Sequence, residues 1–159
     1  MAVDVTNAPG FSAGEIATGE RTSAARLKWV IVIDESAPAG LAVNAVACTA
    51  ATTGAAVAGL IGPPGEDAAG HRHPGLPWAG CTVLAASPAD IAGIRARAAA
   101  GDGVLVVDMP ASAQATRVYD DYLAELAQTK PEDLAASAVS IIGPRNKVAK
   151  LVKNLSLLR

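Results

Sequence analysis

Asp108 is the residue most suited to chemistry in this chain. It follows Val104-Leu105-Val106-Val107, an apolar run without alternation, so its carboxylate emerges where a strand buried on both faces ends. There it can serve as a general base or accept a hydrogen bond from a ligand, and it can equally cap the turn that follows. Asn44 stands among Ala, Val and Cys, and a buried amide needs partners for up to about four hydrogen bonds. A ligand in a crevice shared with Asp108 would supply them, and so would a neighbouring loop backbone. His71 and His73 are two residues apart, with Asp67 nearby. On an extended segment they share a side, the pattern of a two-histidine, one-carboxylate metal site. Solvated loop histidines are the commoner cause of that spacing, and neither metal nor cofactor is expected.

A second group lies near the end of the chain. Gly143-Pro144 opens a segment carrying Arg145, Lys147, Lys150 and Lys153. Free N–H groups at a helix start favour phosphate, and the lysines recur every three residues as a stripe. A phosphate or RNA-backbone contact is one reading, and a solvated basic face is the other. Other chemistry is excluded more firmly. Cys48 and Cys81 have no adjacent His or Lys to activate a thiolate, and two buried thiols are expected. Ser36 and Ser112 lack a nucleophile elbow. The turn Asp34-Glu35-Ser36-Ala37-Pro38-Ala39-Gly40 fits no nucleotide-binding fingerprint.

The elements that must position these residues are legible in outline. Lys28–Asp34 is an unbroken apolar run that reads as a central strand. A helix follows from about Gly40 to Thr53, stopped by Gly54. Ala55–Ile61 reads as a short strand or an extended connection, and Glu66–Gly80 as a long loop near the crevice. Cys81–Ala86 is a second strand. Ser87-Pro88-Ala89-Asp90 opens a helix with a Ser cap, an early Pro and an acid three residues on. Val104–Asp108 is the third strand, residues 113–128 a helix, Ala138–Ile142 the fourth strand, and the basic segment the last helix. Strand–helix alternation with buried strands predicts a three-layer α/β/α sandwich.

Composition sets the bounds. At 159 residues, 51% of them hydrophobic and only 3% aromatic, the chain supports one domain, residues 26–159, with a core of Ala, Val, Leu and Ile. Residues 1–25 read as an arm, poorly ordered or strapped across the body through Phe11 and Ile16. A net charge of −2 provides no global field toward nucleic acid or membrane. Ser36–Gly65 carries no charge, yet it has too few large apolar side chains for the roughly 20 strongly apolar residues of a membrane span. Few cysteines and no secretory signal in residues 1–24 point to the cytoplasm.

The order of elements adds a resemblance. Gly-x-x-x-Asn opens the first helix (Gly40 to Asn44), Val-Val-Asp closes the third strand (Val106–Asp108), and Ile-Gly-Pro-x-x-x-Val-x-Lys-Leu (Ile142–Leu151) precedes a closing Leu-Leu-Arg. From about Leu27 onward the chain resembles an uncharacterised bacterial family, a domain of unknown function, that is similar in fold to the type II peptidyl-tRNA hydrolases. The resemblance implies a mixed four-stranded sheet with two helices on each side, commonly in a homodimer. It also implies an ester-cleaving site in which Asn44 matches a polar amide, Asp108 a strand-end acid and Ser112 a hydroxyl. The lysine expected at the start of the first helix is absent, with Gly40 about where it would stand. The expectation is therefore a ligand-binding domain without the hydrolase chemistry, taking a small ligand or the 3′ end of tRNA; the alternative is a hydrolase of an aminoacyl or peptidyl ester of tRNA.

Overall fold

The computed structural model describes residues 8–158. Its centre is β1 (Leu27–Asp34), in which Val30, Ile31, Val32 and Ile33 are almost wholly buried. The strand shows no alternation because both of its faces are covered. β1 pairs antiparallel with β6 (Ala136–Pro144) on one side and parallel with β4 (Thr82–Ala86) on the other. β5 (Leu105–Pro110) extends the sheet beyond β6, and β7 (Ser156–Leu157) beyond β4, in the order β5-β6-β1-β4-β7. The sheet thus has five strands where four were expected. The additional strand lies antiparallel on β4 through Leu84↔Leu157 and Ala85↔Ser156. Two exposed residues leave no alternation for a sequence reading to find.

Side chains divide by strand pleat into two cores. Leu27, Trp29, Ile31, Ile33, Leu105, Ala138 and Ile142 meet α1 (Ala39–Ala56) on one face. Val30, Val32, Leu84, Val106, Val139 and Ile141 meet Ile91, Ile94 and Ala98 of α2 (Pro88–Ala99) and Val148 of α5 (Arg145–Leu151) on the other. α2 begins where its cap predicts: Ser87 Oγ accepts from the Asp90 N–H at 3.2 Å and donates to the Asp90 carboxylate at 2.7 Å. α1 runs past Gly54 to Ala56, since a glycine with open space around it costs a helix only about 1 kcal/mol. The expected helix over 113–128 is two, α3 (Ala111–Ala115) and α4 (Tyr119–Gln128). Thr116 and Val118 between them are extended, and both are β-branched, a side-chain shape that disfavours helix. Within Glu66–Gly80, the expected long loop, β2 (Gly65–Glu66) and β3 (Arg72–His73) form a small hairpin.

α1 is long and apolar enough to cross a membrane by length and composition. It forms one layer of the domain, resting on the sheet through Ala42, Ala45, Thr49 and Thr53. Beneath it lies a closed polar chain: Trp29 Nε1 donates to Ser140 Oγ at 2.8 Å, and Ser140 Oγ lies 2.8 Å from Thr53 Oγ1, which bonds the Thr49 carbonyl. Every member has a partner, so the cost of desolvating these groups is offset by the bonds they make.

Residues 8–25 cross the α1 side of the body; residues 1–7 lie outside the described residues. Phe11 is buried, its ring 4.8 Å from that of Trp78 and its N–H bonded to the Ala58 carbonyl. Ile16, the other expected anchor, is exposed. The close approach is possible because Gly59, at φ +71°, has no Cβ; one would stand 2.6 Å from the Phe11 carbonyl oxygen. Arg145 fastens the far end of the strap, donating to the carbonyls of Ala25 at 2.7 Å and Thr22 at 2.9 Å. Glu15 caps its own turn and pairs with Arg26, which together hold its carboxyl down at a pKa of about 2.

Two outcomes follow from these contacts. Ser140→Ala removes the shared partner of Trp29 and Thr53, and urea denaturation should show a loss of about 1–3 kcal/mol, the cost of buried groups left unpaired. Because the folded pKa of Glu15 lies below its ordinary value of 4.5, its contribution is full above that value and is lost as pH falls toward about 2. The stability difference between the wild type and Glu15→Gln should therefore shrink across that acid window; a difference that stays constant there would remove Glu15 from the strap's fastening.

Candidate functional site

The expected crevice between Asn44 and Asp108 is not built as such. Asp108 follows the pleat of Val106 onto the α2 face, where its carboxylate pairs with Arg95 of α2, both side chains about three-quarters buried. Asn44 is exposed on α1, across the sheet, and its amide oxygen accepts from Gln114 Nε2 at 3.1 Å. The same Gln114 nitrogen donates to the Leu41 carbonyl at 2.9 Å, tying α3 to the start of α1. Asn44 thus fixes one helix against another. Ser112 is half-buried in α3, with its carbonyl accepting from Thr116.

A cleft of about 350 Å³ nevertheless opens close to the expected place, at the outer edge of β5. Its floor is Val107, Asp108, Met109 and Pro110 of the strand. Cys48, Thr49 and Thr52 of α1 form one wall, one to two turns beyond Asn44. Ala113 of α3 and the segment Thr116–Tyr119 with Tyr122 form the other. The interruption between α3 and α4 is what turns Arg117 and Tyr119 toward this space. Tyr119 and Tyr122 meet edge to face with ring centroids 5.5 Å apart. Burial, together with the neighbouring Tyr119 and Asp108, pushes the Tyr122 phenol above its ordinary pKa, so at neutral pH it is a hydrogen-bond donor and not a base. Arg117 joins no ion pair among the described residues. Asn44, Ser112 and the two histidines do not line the cleft.

The lining combines aromatic and aliphatic walls with a few polar groups and Arg117, a cation without an ion-pair partner among the described residues. Hydrolysis needs a base and a nucleophile within reach of each other. Asp108 is neutralised by Arg95, and Ser112 lines no wall of the cleft. Cys48 is exposed, and so is Cys81, contrary to the expectation of two buried thiols.

A second cleft, of about 430 Å³, lies between the end of α2 and α5. Lys147, Lys150 and Lys153 line it, joined by Arg97 of α2 and by Asn154. Arg145, the first residue of the expected basic stripe, is not part of it; its guanidinium is spent on the strap. Its own N–H donates to the Arg26 carbonyl, so the start of α5 is not the open N–H cradle that Gly143-Pro144 suggests. Sequence reading missed Arg97, because nothing local relates residue 97 to residue 147.

At the carboxyl ends of β1, β4 and β5, where open α/β sheets commonly hold ligands, Asp34, Glu132 and Asp133 surround a shallow depression of about 440 Å³. Asp34 there receives the N–H and hydroxyl of Ser36. His71 and His73 sit on the β2–β3 hairpin. His71 Nδ1 and His73 Nε2 lie 3.1 and 3.5 Å from Asp67 Oδ2, while the other oxygen accepts from the N–H groups of Ala69 and His71. These contacts keep the Asp67 carboxyl below its ordinary pKa. Among the described residues no group of three His, Cys, Asp or Glu side chains is arranged to hold a metal ion.

Residues 27–159, from the first residue of β1 onward, match the family described as "Protein of unknown function (DUF2000)". The chain belongs to the DUF2000 family. Its strap precedes the matched residues. The DUF2000 fold is also seen in the solved structure of a protein of unknown function, Atu0240, from Agrobacterium tumefaciens strain C58. The two are 19% identical, with a TM-score of 0.73 over 83% of this chain and 97% of that one. No curated protein matches the chain. Neither match bears the name of a peptidyl-tRNA hydrolase.

Proposed function

We propose that this DUF2000 domain binds a small anion with an aromatic or apolar body in the cleft at the β5 edge, and does not hydrolyse it. The observation that carries the reading is Arg117, a cation without an acid partner among the described residues, at the rim of a cleft walled by Tyr119, Tyr122, Val107 and Met109. Arg117 offers the positive charge that the start of α1 lacks. A planar guanidinium suits a carboxylate, and an edge-to-face tyrosine pair offers aromatic surface to a ring.

The test uses phenylacetate and its uncharged amide as probes, followed by NMR on isotope-labelled protein. Phenylacetate should shift Cys48, Thr52, Arg117 and Tyr122. Arg117→Ala should weaken it about tenfold or more, since a charge-assisted hydrogen bond contributes about 1.5–3 kcal/mol, and should leave the amide unaffected. Absence of shifts at this cleft would sink the reading. Cleavage of peptidyl-tRNA that Asp108→Asn abolishes would replace it with the hydrolase.

We also read the domain as a homodimer formed through the outer face of α1. Leu41 and Val43 are 46% and 68% exposed there, on a segment without charge from Ser36 to Gly65. A twofold interface sets like residues against each other, and an uncharged face meets its own copy without repulsion. Sedimentation should give a dimer that Val43→Glu converts to monomer; a wild-type monomer at high concentration would overturn this.

A further inference from the structure

The cleft between α2 and α5 is a separate site with a different electrostatic character. Four cationic side chains come to it, Arg97 from α2, Lys147 and Lys150 from α5 and Lys153 from the turn after α5, and no acidic residue lines it. None of the four joins an ion pair among the described residues. Lys147 Nζ donates to the Asp102 carbonyl at 2.9 Å, which anchors that ammonium at the rim. Arg97 lies back over Gly93, where a Cβ would stand only 3.3 Å from its Nη1. The floor is apolar: Ala98, Val104 and Leu151, with Gly101 at the turn. Gly143 lets that turn approach, since a Cβ there would stand 2.9 Å from Val104 Cγ2.

Holding four like charges around one concavity costs repulsion that the chain leaves uncompensated by any lining carboxylate, and an anion is what relieves it. We infer that this cleft binds a phosphate monoester whose organic part rests on Val104 and Leu151. Ammonium and guanidinium groups from two sides match the several oxygens of a phosphate better than the two of a carboxylate. A polynucleotide fits less well. The chain carries a net charge of −2, and its acids Asp34, Glu132 and Asp133 gather around the depression at the other end of β6. The four cations surround one concavity, a compact arrangement that suits a single phosphate better than an extended nucleic-acid backbone.

The experiment is calorimetric titration of the whole chain with phenyl phosphate, inorganic phosphate and a 20-nucleotide RNA. Phenyl phosphate should bind one to one and more tightly than inorganic phosphate. Lys150→Ala should weaken it about tenfold or more, in the range for one charged contact, and the triple Lys147→Ala, Lys150→Ala, Lys153→Ala variant should remove measurable binding. Lys130→Ala, at the opposite end of β6, should leave it unchanged. All four lysines are exposed, so these variants should keep the wild-type circular dichroism spectrum. No binding of phenyl phosphate, equal binding of inorganic phosphate, or an equal loss in Lys130→Ala would each overturn the inference. So would RNA binding more tightly than phenyl phosphate with a steep salt dependence that the triple variant flattens.

Discussion

Strand β1 has to be covered on both faces at once, and the arrangement of every other element answers to that requirement. Its side chains alternate between two cores, so the helix that follows β1 and the helix that follows β4 must lie on opposite sides of the sheet. The small residues of α1 let that helix lie close over Trp29 and Ser140, where a bulkier helix would stand off. The polar chain from Trp29 through Ser140 to Thr53 then fixes which turn of α1 rests on which strand. A hydrogen-bonded indole in an aliphatic core favours a single alignment of helix on sheet, which area alone would leave looser.

Much of this was legible from residue types. The uninterrupted apolar runs identified β1 and β5 as buried strands, and the Ser87–Asp90 cap marked the start of α2 to the residue. Three features were not legible. β7 is too short to have a pattern, and its pairing partner Leu84 is about seventy residues away in the chain. The split of the 113–128 helix depends on two β-branched residues whose propensity is weak and whose effect is decided by packing. The placement of Asp108 depends on strand parity: one residue toward either end would have turned it to the other face. The apolar run gives the end of the strand and leaves the face open, and there the expected partnership with Asn44 failed.

The two clefts follow from the same geometry. One forms where α3 and α4 step around the open side of β5, the other where α5 returns across the end of α2. The first takes in the last residues of β5, and neither involves the carboxyl ends of β1 and β4, where sheets of this kind usually place their chemistry. That position is occupied by acids, with Asp34 turned back on its own loop. The domain therefore presents an aromatic, singly cationic cleft and a multiply cationic one, separated by the sheet and its two cores.

The fastening of the strap by Arg145 has a consequence for biosynthesis. Thr22 and Ala25 are made before Arg145, so the guanidinium that holds them is added about 120 residues later. Until then the strap has only half of its attachments. Chaperones and proteases acting on the nascent chain meet an open strap that the folded domain has closed.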